Sequence, residues 1–299
     1  MSEIEPPGLP RGVVDIDGEL REVAAAEVSA FDRGFLYGDS VFEVLRTYAG
    51  RPHRLEEHLQ RLERGCRALG IEPPSSVSQL RARAHAAVAA AGGFEQVLRI
   101  VVTRGVAAPG PRPVAVRSSV LIYATEFAEP EAELYERGLR LATVHDLRAL
   151  PAGPAPGVKS GNFLGSILAM QRAGAQGGDE AIVLGPGGEV LEGASSNVFV
   201  RLGEQLWTPP RALGILPGIT ASEVEELAGQ LGVPCGERLL WPCDLYGASE
   251  IFVTSSVRGL VPAVEVDGRA LGAGRPGPLY RRLREAYLRA VGSQHTRLS

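Results

Sequence analysis

Apolar and polar residues near the start of the chain alternate around short turn signals. "GVVDIDGELREVAAAEVS" predicts a β-hairpin turning at Asp17-Gly18, and "SVFEVLRTYAGRPHR" a second one turning at Ala49-Gly50. The period then changes. Leu55, Leu59 and Leu62 in "LEEHLQRLERGCRALG" recur at helical spacing, with Gly70 as the stop signal. Ser75 is read as the cap of a further helix through "AAVAAAGG", and "QVLRIVVTRG" and "SSVLIYATEF" as two strands. Strands with helices gathered to one side predict an α+β layer.

The acidic, polar stretch "AEPEAELYERG" reads as an inter-domain linker over 128–138, with a small N-terminal domain at 1–127 and a larger one at 139–299. A chain of 299 residues exceeds what one core usually holds, which agrees with two domains. The second half opens with the strand "LRLATVHDL" and the loop "RALPAGPAPG". The helix "NFLGSILAMQRAGAQGG", the strands "EAIVLG", "EVLEG" and "SNVFVRLG", and the helix "LPGITASEVEELAGQLG" come next. Strands "IFVTSS" and "VPAVEVDG" precede a last helix containing "YRRLREAYLRA", where Tyr280, Leu283, Tyr287 and Leu288 form the apolar stripe. The glycine-rich "GPGGEVLEG" joins two strand-like runs and opens no helix, so it reads as a β-turn and not a dinucleotide loop.

Composition narrows the chemistry. A net charge of −4 gives no general attraction for nucleic acid or anionic membrane. No apolar run approaches the ~18 residues that would span a bilayer, and "MSEIEPPGLPRG" is unlike a targeting peptide. Cys66, Cys235 and Cys243 lack disulfide or zinc spacing, and the five histidines show no metal-ligand pattern. These features lead us to expect a soluble cytoplasmic protein without a metal.

Of the 31 lysines and arginines, one is a lysine, Lys159 in "PGVKSGNFLG". Arginine serves as a cation but stays protonated, whereas a lysine amine can lose its proton and form a Schiff base with an aldehyde. A lone lysine in an arginine chain therefore points to chemistry that requires a primary amine; the alternative is an ordinary surface lysine. An aldehyde cofactor bearing a phosphate would need further parts. Glu192 in "VLEGASSN" offers a carboxylate, and "LPGIT" offers the N–H groups of Ile219 and Thr220 at a helix start, with the Thr220 hydroxyl. "VTSS" ends a strand with three hydroxyls. Taken singly, Thr220 and Ser222 read as helix caps, and Ser255 and Ser256 as turn residues.

Taken in order, "DRGFLYGDSVFE", "HRLEEHLQRL", "VKSGNFLGSILA", "VLEGASSNVFV", "LPGIT" and "FVTSSVRGLVPA" closely resemble the fold-type IV pyridoxal-phosphate family. That family includes branched-chain and D-amino-acid aminotransferases and aminodeoxychorismate lyases. The resemblance implies an α+β homodimer whose subunits pair a small α/β N-terminal domain with a larger mixed-sheet, barrel-like C-terminal domain. It implies pyridoxal 5'-phosphate bound as a Schiff base to Lys159, with Glu192 on the pyridinium nitrogen and Leu216 on the ring face. Arg54, Ile219, Thr220 and Ser256 are the implied phosphate ligands, with Ser255 beside them. Phe35, Arg99 and Arg104 are the implied substrate-side residues. An amino donor, either an amino acid or a primary amine, and a 2-keto acid are the implied substrates.

The match departs from the family in its details. Phe163 stands where branched-chain enzymes carry a tyrosine for the cofactor's phenolic oxygen. Their Tyr-x-Arg motif is Val97-Leu98-Arg99 here, and the arginine–histidine pair of D-amino-acid enzymes becomes Arg104 with Val106. Transamination is the expected reaction, with release of pyruvate from aminodeoxychorismate as the alternative.

Overall fold

Asp17 (φ 52°) and Gly18 (φ 99°) turn the chain between strands β1 (Gly12–Ile16) and β2 (Glu19–Glu22), at the expected place. The computed structural model describes residues 8–110, 112, 116–145 and 157–296. The chain divides into two units, one of residues 1–128 with Lys159–Gly161, the other of 129–158 and 162–299.

In the first unit, Asp32 accepts a hydrogen bond from Gly34 N–H at 2.7 Å and starts the short helix α1 (Arg33–Tyr37). The second hairpin, β3 (Ser40–Tyr48) and β4 (Arg51–Pro52), turns at Ala49 and Gly50, both at positive φ. Helices α2 (Leu55–Leu69) and α3 (Val77–Ala91) follow, then β5 (Gln96–Thr103) and β6 (Ser119–Glu126). The cap of α3 is Ser76 and not Ser75: Ser76 and Gln79 form a reciprocal capping box, which fixes the helix start one residue later. Ser75 instead accepts from Arg83 at 3.2 Å.

The strands form an antiparallel sheet in the order β2-β1-β6-β5-β3-β4. Period-two alternation sorts its faces. Leu45, Leu98, Ile100 and Ile122 are buried on the face covered by α2 and α3, with Leu59, Leu62, Leu80 and Ala84 above them. Truncating one such leucine to alanine costs about 2–5 kcal/mol. Phe42, Val44, Arg99, Val101 and Tyr123 share the opposite face, because Val44 pairs with Arg99 and Arg99 with Tyr123.

The second unit begins with α4 (Ala132–Arg137), inside the stretch expected to be a linker; Tyr135 on it donates to the Arg258 carbonyl at 3.0 Å. It continues with β7 (Leu139–His145), α5 (Leu164–Ala175), β8 (Glu180–Leu184) and β9 (Val190–Gly193). Then come β10 (Asn197–Leu202), β11 (Gln205–Thr208), α6 (Ile219–Gln230), β12 (Cys235–Glu237) and α7 (Pro242–Tyr246). The last elements are β13 (Glu250–Ser255), β14 (Gly259–Val266), β15 (Arg269–Ala270) and α8 (Pro278–Thr296).

Its sheet runs β12-β11-β10-β13-β14-β7-β8-β9, with β15 on β14, and it mixes parallel pairs (β14–β7, β7–β8, β11–β12) with antiparallel ones. Leu141, Ile182, Val198, Val200, Ile251, Val253 and Val261 fill its core. The glycines at 185–188 form the expected β-turn, with Gly188 N–H donating to the Gly185 carbonyl at 2.9 Å. On α8, Tyr280, Leu283 and Tyr287 are buried, but Leu288, one residue off that stripe, is exposed. The loop expected at 148–157 lies outside the described residues up to 156.

Candidate active site

Lys159 is tied to β3 through the backbone. Phe42 N–H donates to the Lys159 carbonyl at 2.9 Å, Gly161 N–H donates to the Ser40 carbonyl at 2.8 Å, and Ser160 bridges to Val41. A Cβ at Gly161 would stand 2.2 Å from Ser40 Oγ, so any side chain there would force Ser40 to shift. Lys159 Nζ lies 4.6 Å from the centre of the Phe42 ring, and Arg99 Cζ lies 4.1 Å from the same centre. Phe42 and Ser40 were not singled out in the sequence; the "DSVFE" motif around them was the available signal.

Arg104 is engaged elsewhere. Its Nε donates to Asp39 Oδ2, its Nη1 to the Gly70 carbonyl and its Nη2 to the Leu69 carbonyl, each at 2.8 Å, so it closes the C-terminal end of α2. Burial pushes the Asp39 carboxyl up, but hydrogen bonds from Arg104 and Arg33 outweigh it and hold Asp39 below its ordinary value. Of the two arginines read from the sequence, Arg99 is the one that shares a ring with Lys159. Phe35 lies on α1 and is exposed.

Arg54 opens α2 from a left-handed conformation (φ 53°) and donates to Glu57 Oε1 at 3.0 Å. Burial pushes the Glu57 carboxyl up, but the Arg54 hydrogen bond prevails and lowers it. Deeper in the same unit, Glu43 on β3 takes both arms of Arg61 at 2.7 Å, while His58 Nδ1 lies 2.7 Å from Glu43 Oε2. This buried cluster fastens α2 to the strand that carries Phe42.

The second unit gathers the remaining candidates. Glu192 is on β9, and its Oε2 accepts from Leu216 N–H at 3.0 Å. The Leu216 carbonyl in turn accepts from Asn197 Nδ2 at 2.8 Å. Asn197 thus sets Leu216 beside Glu192; it is a further functional candidate that sequence reasoning missed within "VLEGASSNVFV". Gly218 is confined by the same residue, since a Cβ there would fall 1.9 Å from Asn197 Oδ1.

Gly218 is the N-cap of α6 and makes no side-chain cap, so Thr220 is not spent on capping. Its buried hydroxyl donates to Ser256 Oγ at 3.5 Å. Helix N–H groups at Ile219 and Thr220 with two converging hydroxyls are a donor set suited to a dianionic phosphate. Ser255 Oγ accepts from Arg258 N–H at 3.3 Å, and Arg258 Nη2 donates to buried Glu180 Oε2 at 2.6 Å, which anchors the turn bearing both serines. Phe163 occupies the N-cap position of α5.

The model of the amino-transferase class IV family matches residues 40–266. A D-alanine aminotransferase of Bacillus licheniformis is 32% identical over 282 residues, covering 93% of this chain and 96% of that protein. The solved branched-chain amino acid aminotransferase of Escherichia coli superposes with a TM-score of 0.88 at 29% identity, covering 93% of this chain and 94% of that one. The branched-chain amino acid aminotransferase of T.th., solved with pyridoxamine 5'-phosphate, gives 0.87 at 31% identity over 95% of both chains. Family match, fold and donor chemistry agree: this chain belongs to the class IV aminotransferases, fold-type IV enzymes that work with pyridoxal 5'-phosphate.

Proposed function

We propose that this aminotransferase moves an amino group between an amino acid and a 2-keto acid, with Lys159 as the catalytic amine. The observation that carries the proposal is the placement of the chain's single lysine beside the Phe42 ring, which Arg99 also contacts. Bound, the cofactor supplies an aldehyde that takes up the amine and a ring that accepts electrons when Cα loses its proton. Lys159 Nζ would hold the cofactor and, as a free amine, would carry the proton taken from the substrate Cα. The Glu192 carboxylate would keep the ring nitrogen protonated, and Leu216, held by Glu192 and Asn197, would pack on the ring. Ile219, Thr220 and Ser256 would bind the phosphate, a role that the family resemblance also gives Arg54, and Ser255 steadies the turn. Arg99 receives the substrate carboxylate.

The relatives described above are aminotransferases, and nothing favours the pyruvate-releasing lyase over them. Spectra recorded with an amino donor alone test the choice. Accumulation of the pyridoxamine form supports aminotransfer; pyruvate release from aminodeoxychorismate without that accumulation overturns it.

A cytoplasmic homodimer is part of the same reading. Leu164, Ile167 and Leu168 on α5 are exposed apolar side chains suited to burial against a second copy, and no described helix is long and apolar enough to cross a membrane. Sedimentation at the monomer mass would refute the dimer.

A further inference from the structure

Val97 leaves the substrate side of β5 without the phenol that branched-chain enzymes carry two residues before the arginine. Val97 pairs with Thr125 on β6 and Arg46 on β3, and neither partner restores a phenol at that position. One register step away, however, Tyr123 on β6 is the direct cross-strand partner of Arg99. Such partners have Cβ atoms about 4.5–5.5 Å apart and point to the same face.

Arg99 is placed unlike most arginines here. Arg61, Arg104, Arg201 and Arg258 each hold a carboxylate. Arg99 has no hydrogen bond or ion pair among the described residues; its neighbours are the Phe42 ring and Tyr123. The Tyr123 hydroxyl likewise has no hydrogen-bond partner among them. Burial pushes the phenol up, against the opposing effect of Arg99, so Tyr123 stays protonated and able to donate. The guanidinium and the phenol share with Val44, Val97 and Val101 the face opposite the helices, and Lys159 Nζ contacts the same Phe42 ring as Arg99. A planar fork and a neutral hydroxyl donor suit an anion with two oxygens.

We propose that Tyr123 and Arg99 together bind the substrate carboxylate, with Tyr123 supplying from β6 the hydrogen bond that Val97 cannot supply from β5. The pair makes carboxylate-bearing amino acids and keto acids, rather than simple amines, the preferred substrates. This inference rests on the aminotransferase reading with Lys159 as the catalytic amine.

Tyr123→Phe removes only the hydroxyl, and retained cofactor absorbance verifies its fold. The test is titration calorimetry of the holoenzyme with isovalerate and isovaleramide, together with the ratio of kcat/KM for an amino acid to that for 1-phenylethylamine. Tyr123→Phe should weaken isovalerate about tenfold more than isovaleramide and lower the ratio to a similar extent. In an Arg99→Gln background the same change should add little, because the two groups hold one ligand. Unchanged isovalerate affinity in Tyr123→Phe, or equal losses for the acid and the amide, overturns the pair. If the wild type converts no amino donor, the aminotransferase reading falls instead, and the isovalerate comparison alone decides the pair.

Discussion

Phe42 holds Lys159 twice: its N–H donates to the lysine carbonyl at 2.9 Å, and its ring centre lies 4.6 Å from Nζ. The backbone bond sets where the lysine emerges, and the ring provides a face that favours a cation. Because the chain has one lysine, borohydride reduction of the holoenzyme should attach the cofactor to the peptide containing "GVKSGNF" and to no other side chain. Lys159→Arg should keep the charge yet lower turnover at least ~10²-fold, since guanidinium neither forms an imine nor gives up its proton. An adduct mapped elsewhere by mass spectrometry would refute the role.

Arg54 occupies a left-handed backbone that glycine adopts without strain, so Arg54→Gly removes the fork and spares the turn. Losing a charge-assisted contact to phosphate should weaken cofactor binding by about 1.5–3 kcal/mol. Titration with pyridoxal phosphate and with phosphate-free pyridoxal separates the outcomes: only the phosphorylated compound should lose affinity.

Arg258→Met should destabilise the protein by about 3–5 kcal/mol, because it leaves the Glu180 carboxylate buried and unpaired. Adding Glu180→Gln should recover part of that loss. Urea unfolding of the single and double variants measures both, and a double variant no more stable than Arg258→Met would show that the pair does not act as a unit.

Acid should unfold the first unit through Glu43 and His58. Burial pushes the Glu43 carboxyl up, but Arg61 and His58 outweigh it and lower it; burial lowers His58 despite Glu43. Both groups bind protons more readily in the unfolded chain, so stability rises with pH. The His58 contribution should fade as pH falls below about 6.5 and that of Glu43 below about 4.3, continuing toward their depressed native values. Melting temperatures across that range check this; a flat profile would contradict it.

The amino-acid sequence by itself determined the hairpin turns at Asp17-Gly18 and Ala49-Gly50, the long helices, and the order of motifs that marks the family. These signals are local, since turn chemistry and hydrophobic period act over a few residues. The single lysine was equally legible, being a matter of composition. Short elements such as α1, α7, β12 and β15 were not, because a few residues carry too little periodicity. Ser75 and Ser76 are adjacent hydroxyls, and only the reach of Gln79 selects the second.

Whether Arg99 or Arg104 shares the Phe42 ring with Lys159 depended on which side of the sheet α2 and α3 cover, and on Asp39 and the end of α2 engaging Arg104. The meeting of the Thr220 hydroxyl with Ser256 likewise joins residues thirty-six positions apart along the chain. Tyr123 met Arg99 through strand register alone. Pairings between distant segments are set when side chains pack against one another, and no local pattern encodes them.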